Sequence, residues 1–579
     1  MLRYTKKLAA LLSAGCALTM AAGCAGEDSQ DALDERADIA FDRKVECDVI
    51  VAGGSAAALS AALTSAREGR QTCLLEPTDW VGGQFTSGGV PAVDFAWHNN
   101  GDLPVGAIAK DPANIPPELL DLLTPHEDKS LNTCTVSWYC FRPDSFAVDQ
   151  LEPLVEQVAQ QTGNLEVFYN TVVKQTTSGR FSTGEIRIDA VTAIQRTAKA
   201  GVENNGFDDF LHNRLEDWYS LSEAGSFTKE VLRFEGRAGQ APVVIDATEF
   251  GDVMALTTWD SYLQGVETAD GSAETLDSTC GQATVFPFIQ RYATGPRTEP
   301  GNPFGEPENP DFYQLGNYDW RGIWKYRRVV EAGHPDGFYN DATLQNWYPG
   351  NDYPFGYLFL STDETRQQAG TDWRGGINMA ALAGAERHAI GWHFWFKNHP
   401  EVPNGENDFI VLDRQYMGTT TGLSKMPYLR DTRRSIGLDD FVLSSNDIRG
   451  TAAAGTGTVF DDRIAIGAYA VDFHNVTTCN MPAYVNEVDH TSTLPYYIPF
   501  RALTNRDVGN LLVAGKTMAQ SFVANAAIRL HPIEWTTGIG AGAAAAYMSE
   551  TGVRSRDALG AIRTIQDRIR EYAPIDWTM

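Results

Sequence analysis

Residues 53–58 read Gly53-Gly54-Ser55-Ala56-Ala57-Ala58 and stand between an apolar run, ECDVIVAGG, and a helix-forming stretch, SAAALSAALTSAREG. Small side chains at a strand-to-helix turn let the backbone approach a phosphate closely. Unpaired N–H groups and the dipole of the helix then stabilise its negative charge. The turn departs from the G-x-G-x-x-G spacing, because Ser55 holds the second glycine position and Ala58 the third. A further apolar run, RQTCLLE, ends on Glu76, 23 residues after Gly53. A carboxylate there can accept hydrogen bonds from a ribose. Gly53, Gly54, Ser55, Ala57 and Glu76 are therefore expected to hold a dinucleotide, and the plain alternative is an ordinary βαβ crossover.

Those residues require a parallel sheet to carry them. Residues 46–76 supply strand, turn, helix and strand; 149–175 add an amphipathic helix (LEPLVEQVAQQ) and another apolar strand. Residues 184–197 read as further strands, and a strand returns at APVVID, 241–246. Residues 257–420 change character and become rich in Pro, Gly, Asn and aromatics, as a separate substrate-facing region would. From about 425 alternating strands and loops resume, closing with NLLVAGK and an alanine- and glycine-rich helix, TTGIGAGAAAAYMSE. The nucleotide-binding part is thus expected to be discontinuous, 44–256 and 421–579, around an inserted α+β region, 257–420.

Three more segments bear on the ligand. The first is Trp80-Val81-Gly82-Gly83-Gln84-Phe85-Thr86-Ser87-Gly88-Gly89, and the second is Ile245-Asp246-Ala247-Thr248-Glu249-Phe250-Gly251-Asp252. The third comprises 509–516 (GNLLVAGK), Ile528-Arg529-Leu530-His531-Pro532 and Thr537-Gly538-Ile539-Gly540. Together with the turn they resemble the FAD-dependent oxidoreductase family, whose members share a glutathione-reductase-like FAD domain, and the resemblance spans most of the chain. Arg430, Arg433, Arg434, Asp472, His474, Pro499-Phe500-Arg501, Asn351 and Asp352 resemble further blocks of that family. The resemblance implies an α/β, Rossmann-like FAD/NAD(P)-binding fold with FAD as cofactor. It also implies that Gly83 and Gln84 run beside the flavin and that Gly515 lies near the pyrophosphate or ribitol. Thr248, Arg529, Gly538 and Gly540 complete the implied cofactor contacts, with a helix N-terminus near the isoalloxazine. Glu249 stands where the family usually has glycine.

If FAD is bound, the flavin accepts hydride at N5 and the protein must orient a C–H bond and manage one proton. Histidine is the natural proton handler, with an unperturbed pKa of about 6.5. By resemblance His474 and His531 fall near the flavin, and His474 is the first choice. Arg501 and Arg434 can hold a carboxylate or the electron-rich flavin edge, or can form structural ion pairs. No second glycine-rich motif for NAD(P)H follows, which favours substrate oxidation with electrons passed to oxygen or another acceptor. Trp320, Trp324, Trp347, Tyr348, Tyr353 and Tyr357 of the insert can line a sugar or aromatic pocket, or simply pack a core. The substrate is expected to be a small polar molecule, a saccharide among the candidates.

The chain has 579 residues, 43% of them hydrophobic, and carries a formal net charge of −29. That charge argues against nucleic acid or an anionic membrane surface as partner. Residues 1–30 combine a basic start, an apolar run and small residues before a cysteine, the pattern of a bacterial export signal, and the run is too short to span a membrane. Met-Ala-Ala-Gly before Cys24 predicts a lipoprotein signal, 1–23, with lipidation at Cys24 and a polar tether over 24–43. Leu-Ser-Ala-Gly before Cys16 offers a second site, and an ordinary cleaved signal is the other reading. The remaining six cysteines have no metal-binding spacing, and Cys134 and Cys140 are close enough to bridge a local loop. Two rival functions stand beside the enzyme: a lipid-anchored glycan-binding protein on a vestigial nucleotide fold, and an electron-transfer subunit. The lack of iron–sulfur cysteine spacing counts against the second.

Overall fold

The computed structural model describes residues 36–96, 103–130, 134–329, 339–450, 454–488 and 490–579. The expected export signal, Cys24 and the expected tether as far as residue 35 lie outside them. The runs VIVA, TCLL, VVID and LLV are apolar at nearly every position, as strands covered on both faces must be. They form the strands Val49–Ala52, Thr72–Leu75, Val243–Asp246 and Leu511–Val513 of a five-stranded, wholly parallel sheet completed by Leu165–Phe168. In order across the sheet they run Leu511–Val513, Val243–Asp246, Val49–Ala52, Thr72–Leu75, Leu165–Phe168. The strand from near the C-terminus thus pairs with one from residue 243 onward.

Alternate residues of these strands enter two cores, as the two-residue repeat dictates. Val49, Val51, Val243 and Ile245 face helices Ala56–Arg67 and His531–Thr551. Ile50, Ala52, Cys73 and Val244 face a second sheet, ordered Arg43–Glu46, Phe227–Glu235, Ile186–Ala198, Thr171–Arg180. The two helices pack backbone to backbone: a Cβ on Gly538 would stand 2.8 Å from Ala57 Cα, and one on Gly542 3.0 Å from Ala61 Cα. The alanine- and glycine-rich composition of the second helix is therefore a packing requirement, and the helix begins at His531, earlier than its composition suggests.

Residues 257–420 contain a three-stranded antiparallel sheet, Asp341–Gln345, Phe288–Tyr292, Ile410–Asp413, with helix Met379–Lys397 against it. Asn378 caps that helix by accepting from the N–H groups of Ala380 and Ala381. Trp320 and Trp324 stack on each other in the core, with Trp320 also against Phe396, and both indoles are fully buried. These two serve packing, whereas Tyr348 is half exposed. Three disulfides, Cys47–Cys73, Cys134–Cys140 and Cys280–Cys479, use all six cysteines beyond residue 24. Among the described residues no helix is long and apolar enough to cross a membrane.

Candidate functional site

Four backbone segments converge on the N-terminus of helix Ala56–Arg67. Gly53 has φ +118°, a conformation other residues avoid, and a Cβ there would stand 2.5 Å from Thr248 Cα. The 82–89 loop crosses the turn so closely that a Cβ on Gly83 (φ +55°) would lie 2.6 Å from Ser55 Cα. A Cβ on Gly515 would meet that of Ala57 at 3.1 Å. Ser55 does what a glycine at its position cannot: its hydroxyl caps the helix by accepting from Ala58 N–H at 3.1 Å and donates to Ala247 O at 2.8 Å. Thr248 shapes the neighbouring turn, donating to Asp246 Oδ1 at 2.7 Å and accepting from Asp252 N–H at 2.8 Å.

Along this cradle runs a series of buried polar atoms without partners. Glu76 is 1% exposed. Its Oε1 accepts from Thr78 N–H (2.9 Å) and Thr78 Oγ1 (2.8 Å), while Oε2 has no partner. Burial pushes its carboxyl up to about 8 despite those two bonds. Gln84 Nε2 donates to Arg529 O at 3.2 Å, leaving Oε1 unpaired. His531 Nε2 meets Val90 O at 2.8 Å, leaving Nδ1 unpaired, and burial brings its pKa down to about 3, so the ring is neutral. The helix that starts at His531 has no side-chain cap. Buried polar groups are almost always hydrogen-bonded, so such a series outlines a polar ligand. Beside it Lys516 Nζ stands 2.9 Å from both Glu249 and Glu534. Burial opposes charge on that ammonium, but the two carboxylates outweigh it and hold the lysine above its usual value. Burial likewise raises Glu534 to about 7 against the pull of Lys516.

A second cluster adjoins the first through Arg529. His474 is held between two carboxylates: Nδ1 pairs with Asp352, and Nε2 lies 3.4 Å from Asp472 Oδ2. Asp352 is fully buried and also pairs with Arg430 at 2.9 Å. Burial alone would raise it, but Arg430 and His474 hold it below the usual carboxylate range. Asp472 is held well below its usual value in the same way, by His474, His490 and Arg529 against burial. Arg529 lies 3.3 Å from Asp472 and donates to Tyr428 Oη at 2.7 Å. The imidazole keeps 18% of its surface exposed, with the Tyr348 ring edge-on at 5.5 Å. An accessible histidine whose ring is fixed by an ionised aspartate is placed to serve as a general acid or base.

Close contacts link Gly53, Gly54, Ser55, Ala57, Glu76, Gly83, Gln84, Thr248, Gly515 and Arg529 around that helix N-terminus, with His531 against the 84–90 loop and His474 joined to Arg529 through Asp472. The structure does not bring Arg501 there. That side chain pairs with Asp462 at 3.0 Å, lies over the Phe441 ring and is 34% exposed, so its expected place at the reacting centre is corrected. Gly538 and Gly540 are corrected as cofactor contacts too: Gly538 serves contact with Ala57, and a Cβ on Gly540 would meet Ile464 Cδ1 at 2.9 Å. Arg434 is buried between Glu267 and Asp431. Sequence reasoning missed Lys516, Glu534, Tyr428 and Asp94. Burial pushes the Asp94 carboxyl up to about 6, opposed by Arg327 and Lys110, with Asp472 and Arg529 also acting on it. No local spacing marks these residues, because their partners lie far away in the chain.

A family model described as FAD dependent oxidoreductase matches residues 48–207 and 212–569. None of the curated proteins matches. Among solved structures, a geranylgeranyl bacteriochlorophyll reductase-like protein of Thermoplasma acidophilum is 9% identical, with a TM-score of 0.30 over 92% of this chain and 85% of that one. A variant of the quinol fumarate reductase of E. coli is 11% identical, with a TM-score of 0.29 over 92% of this chain and 75% of that one. THI4 of Thermovibrio ammonificans is 13% identical, with a TM-score of 0.20, and the match takes in 35% of this chain and only 57% of that one.

Proposed function

From a chain that belongs to the FAD-dependent oxidoreductase family we infer an enzyme that oxidises or reduces a small polar molecule at His474, with FAD lying along the cradle from Glu76 to Gln84. The observation that carries the reading is the row of buried, unpartnered polar atoms at Glu76, Gln84 and His531. It follows the glycine cradle and ends beside an accessible histidine. Glu76 would hold a ribose hydroxyl, and Gly53, Gly54, Ser55 and Ala57 would hold the pyrophosphate at the helix N-terminus. Thr248 and Gly515 would flank the ribitol, and Gly83, Gln84 and Arg529 the isoalloxazine. Bound FAD supplies hydride exchange at N5.

The protein's own part is orientation and proton handling. Arg529 and Tyr428 present a cation and a hydroxyl to an oxygen of the substrate. His474 takes or returns the proton at Nε2, while Asp352, kept ionised by Arg430, fixes Nδ1 and stabilises the imidazolium. Tyr348, half exposed beside His474, offers the apolar face on which a sugar ring packs, which supports a saccharide. The three disulfides support work outside the reducing cytoplasm, at the cell envelope, with Cys24 as the lipid anchor. The test is the visible spectrum of the purified protein before and after acid precipitation, then anaerobic bleaching against a panel of sugars and other polar molecules. Flavin bands with FAD released, and bleaching by a panel member, support the reading; a colourless protein that takes up no added FAD removes it.

A further inference from the structure

A second group of unpartnered polar atoms lies beside Glu76. Arg196 lies in strand Ile186–Ala198 and is 3% exposed. Its Nη2 donates to the carbonyl of Pro77, the residue after Glu76, at 2.6 Å, and its guanidinium lies 4.0 Å over the Trp218 ring. Nε and Nη1 have no acceptor, and no carboxylate pairs with the guanidinium among the described residues. Glu76 Oε2, Asn170 Oδ1 and Trp218 Nε1 are also buried and unpartnered. The same short stretch ties these groups together: Arg196 N–H donates to Asn170 O at 3.0 Å, Asn170 N–H to Thr78 O at 2.8 Å, and Thr171 N–H to Glu76 O at 2.8 Å. Pro77, whose carbonyl accepts from Arg196, and Trp218, which with Phe227 lies under its guanidinium, line a cleft together with Gly53, Val172, Tyr219 and Thr248.

A buried guanidinium with two unused donor nitrogens is costly unless an acceptor arrives. An unused carboxylate oxygen on the other side of Pro77 is costly for the converse reason. One ligand relieves both if it carries groups that donate and accept side by side, as the vicinal hydroxyls of a ribose and the adjoining adenine edge do. An inorganic anion would satisfy Arg196 but bring no donor to Glu76, and a simple amine would do the reverse. We propose that Arg196 is the second half of an adenosine-recognition site, donating from Nε or Nη1 to the adenosine part of FAD while Glu76 accepts from its ribose. The site would thereby discriminate FAD from FMN. Burial lowers the Arg196 guanidinium to about 9, in keeping with a charge that lacks its acceptor.

This rests on Glu76 marking the ribose end of bound FAD, and the probes separate the two claims. The full-length apoprotein is titrated with FAD and with FMN by flavin fluorescence, and ADP is used as competitor. Wild type should bind FAD and release it to excess ADP; failure to bind FAD removes the cofactor placement and the proposal together. With FAD bound by wild type, Arg196→Met should weaken FAD and ADP by the same factor, roughly 10- to 100-fold, with FMN affinity unchanged. Unchanged ADP affinity, or FMN weakened as much as FAD, overturns the role of Arg196 alone. Should Arg196→Met fail to fold, as its melting curve would show, Arg196→Lys keeps the charge and stem but not the fork. It should lower ADP affinity several-fold and spare FMN, and wild-type ADP affinity in that variant overturns the proposal equally.

Discussion

Lys516→Met removes the cation that two buried carboxylates share. Glu534 is wholly buried and Glu249 nearly so, both 2.9 Å from the ammonium. Breaking a buried ion pair from one side costs about 3–5 kcal/mol, because the partner's charge stays desolvated. Here two charges are left, so the variant should regain a proton rather than keep both. The sign follows from linkage. A carboxyl whose folded-state pKa is raised, as that of Glu534 is to about 7, destabilises the fold as pH rises from its ordinary value of 4.5 through 7. Without Lys516 that window moves higher still. Lys516→Met should therefore be close to wild type near pH 4.5 and lose about 3 kcal/mol or more by pH 8, a range over which the wild-type triad keeps its cation. FAD, itself a dianion at the pyrophosphate, should follow the same profile. Lys516→Met/Glu249→Gln should recover at least about 1 kcal/mol of the loss, the coupling expected of groups in contact. Denaturant unfolding of the apoprotein and FAD retention after dialysis, each at several pH values, measure this. A Lys516→Met profile parallel to wild type, or no recovery in the double variant, refutes the reasoning.

His474→Ala should retain bound flavin but slow its reduction by substrate about 10²- to 10⁴-fold, read by anaerobic stopped flow; unchanged kinetics would take His474 out of the reaction. Arg501→Ala removes an ion pair that is one-third exposed, so turnover should stay within about twofold and stability within about 1 kcal/mol; a large loss of turnover with the fold intact would return Arg501 to the site. Gly538→Val forces a branched side chain between two helices whose backbones touch, and should cost about 1–3 kcal/mol or more in urea unfolding, whereas Gly552→Ala, which has nothing within 4 Å but sits at φ +69°, should cost only about 1 kcal/mol, from backbone strain.

The sheet was legible because buried parallel strands advertise themselves: VIVA, TCLL, VVID and LLV leave no polar face to confuse the reading. The cradle was legible for a related reason, since Gly53, Gly83 and Gly515 stand where no side chain fits. Gly538 and Gly540 misled because close helix packing and close cofactor approach select the same residue. Arg501 misled because a short motif carries no sign of which way its side chain turns. The pairings that the sequence does not show share one trait. Lys516 meets Glu249 across 267 positions, Arg430 meets Asp352 across 78, and Arg529 meets Tyr428 across 101, so nothing periodic in the sequence announces the pair.

Two departures from the family pattern tell against a nucleotide fold kept only as scaffold. Ser55 does not merely replace a glycine, because its hydroxyl joins the helix cap to the 247 carbonyl and so ties the turn at 53–58 to the one after Asp246. Glu249 brings in a largely buried carboxylate, which is tolerable only with a cation beside it, and Lys516 is that cation. A scaffold relieved of its ligand gains nothing from either arrangement and is burdened by Glu76, Gln84 and Arg196, each buried with polar atoms unmet. Such groups cost about 1–3 kcal/mol apiece when left so. The fold that carries them is reconciled with ordinary stability when a ligand with matching donors and acceptors is part of the native state. That makes FAD binding itself a term in the stability of this enzyme.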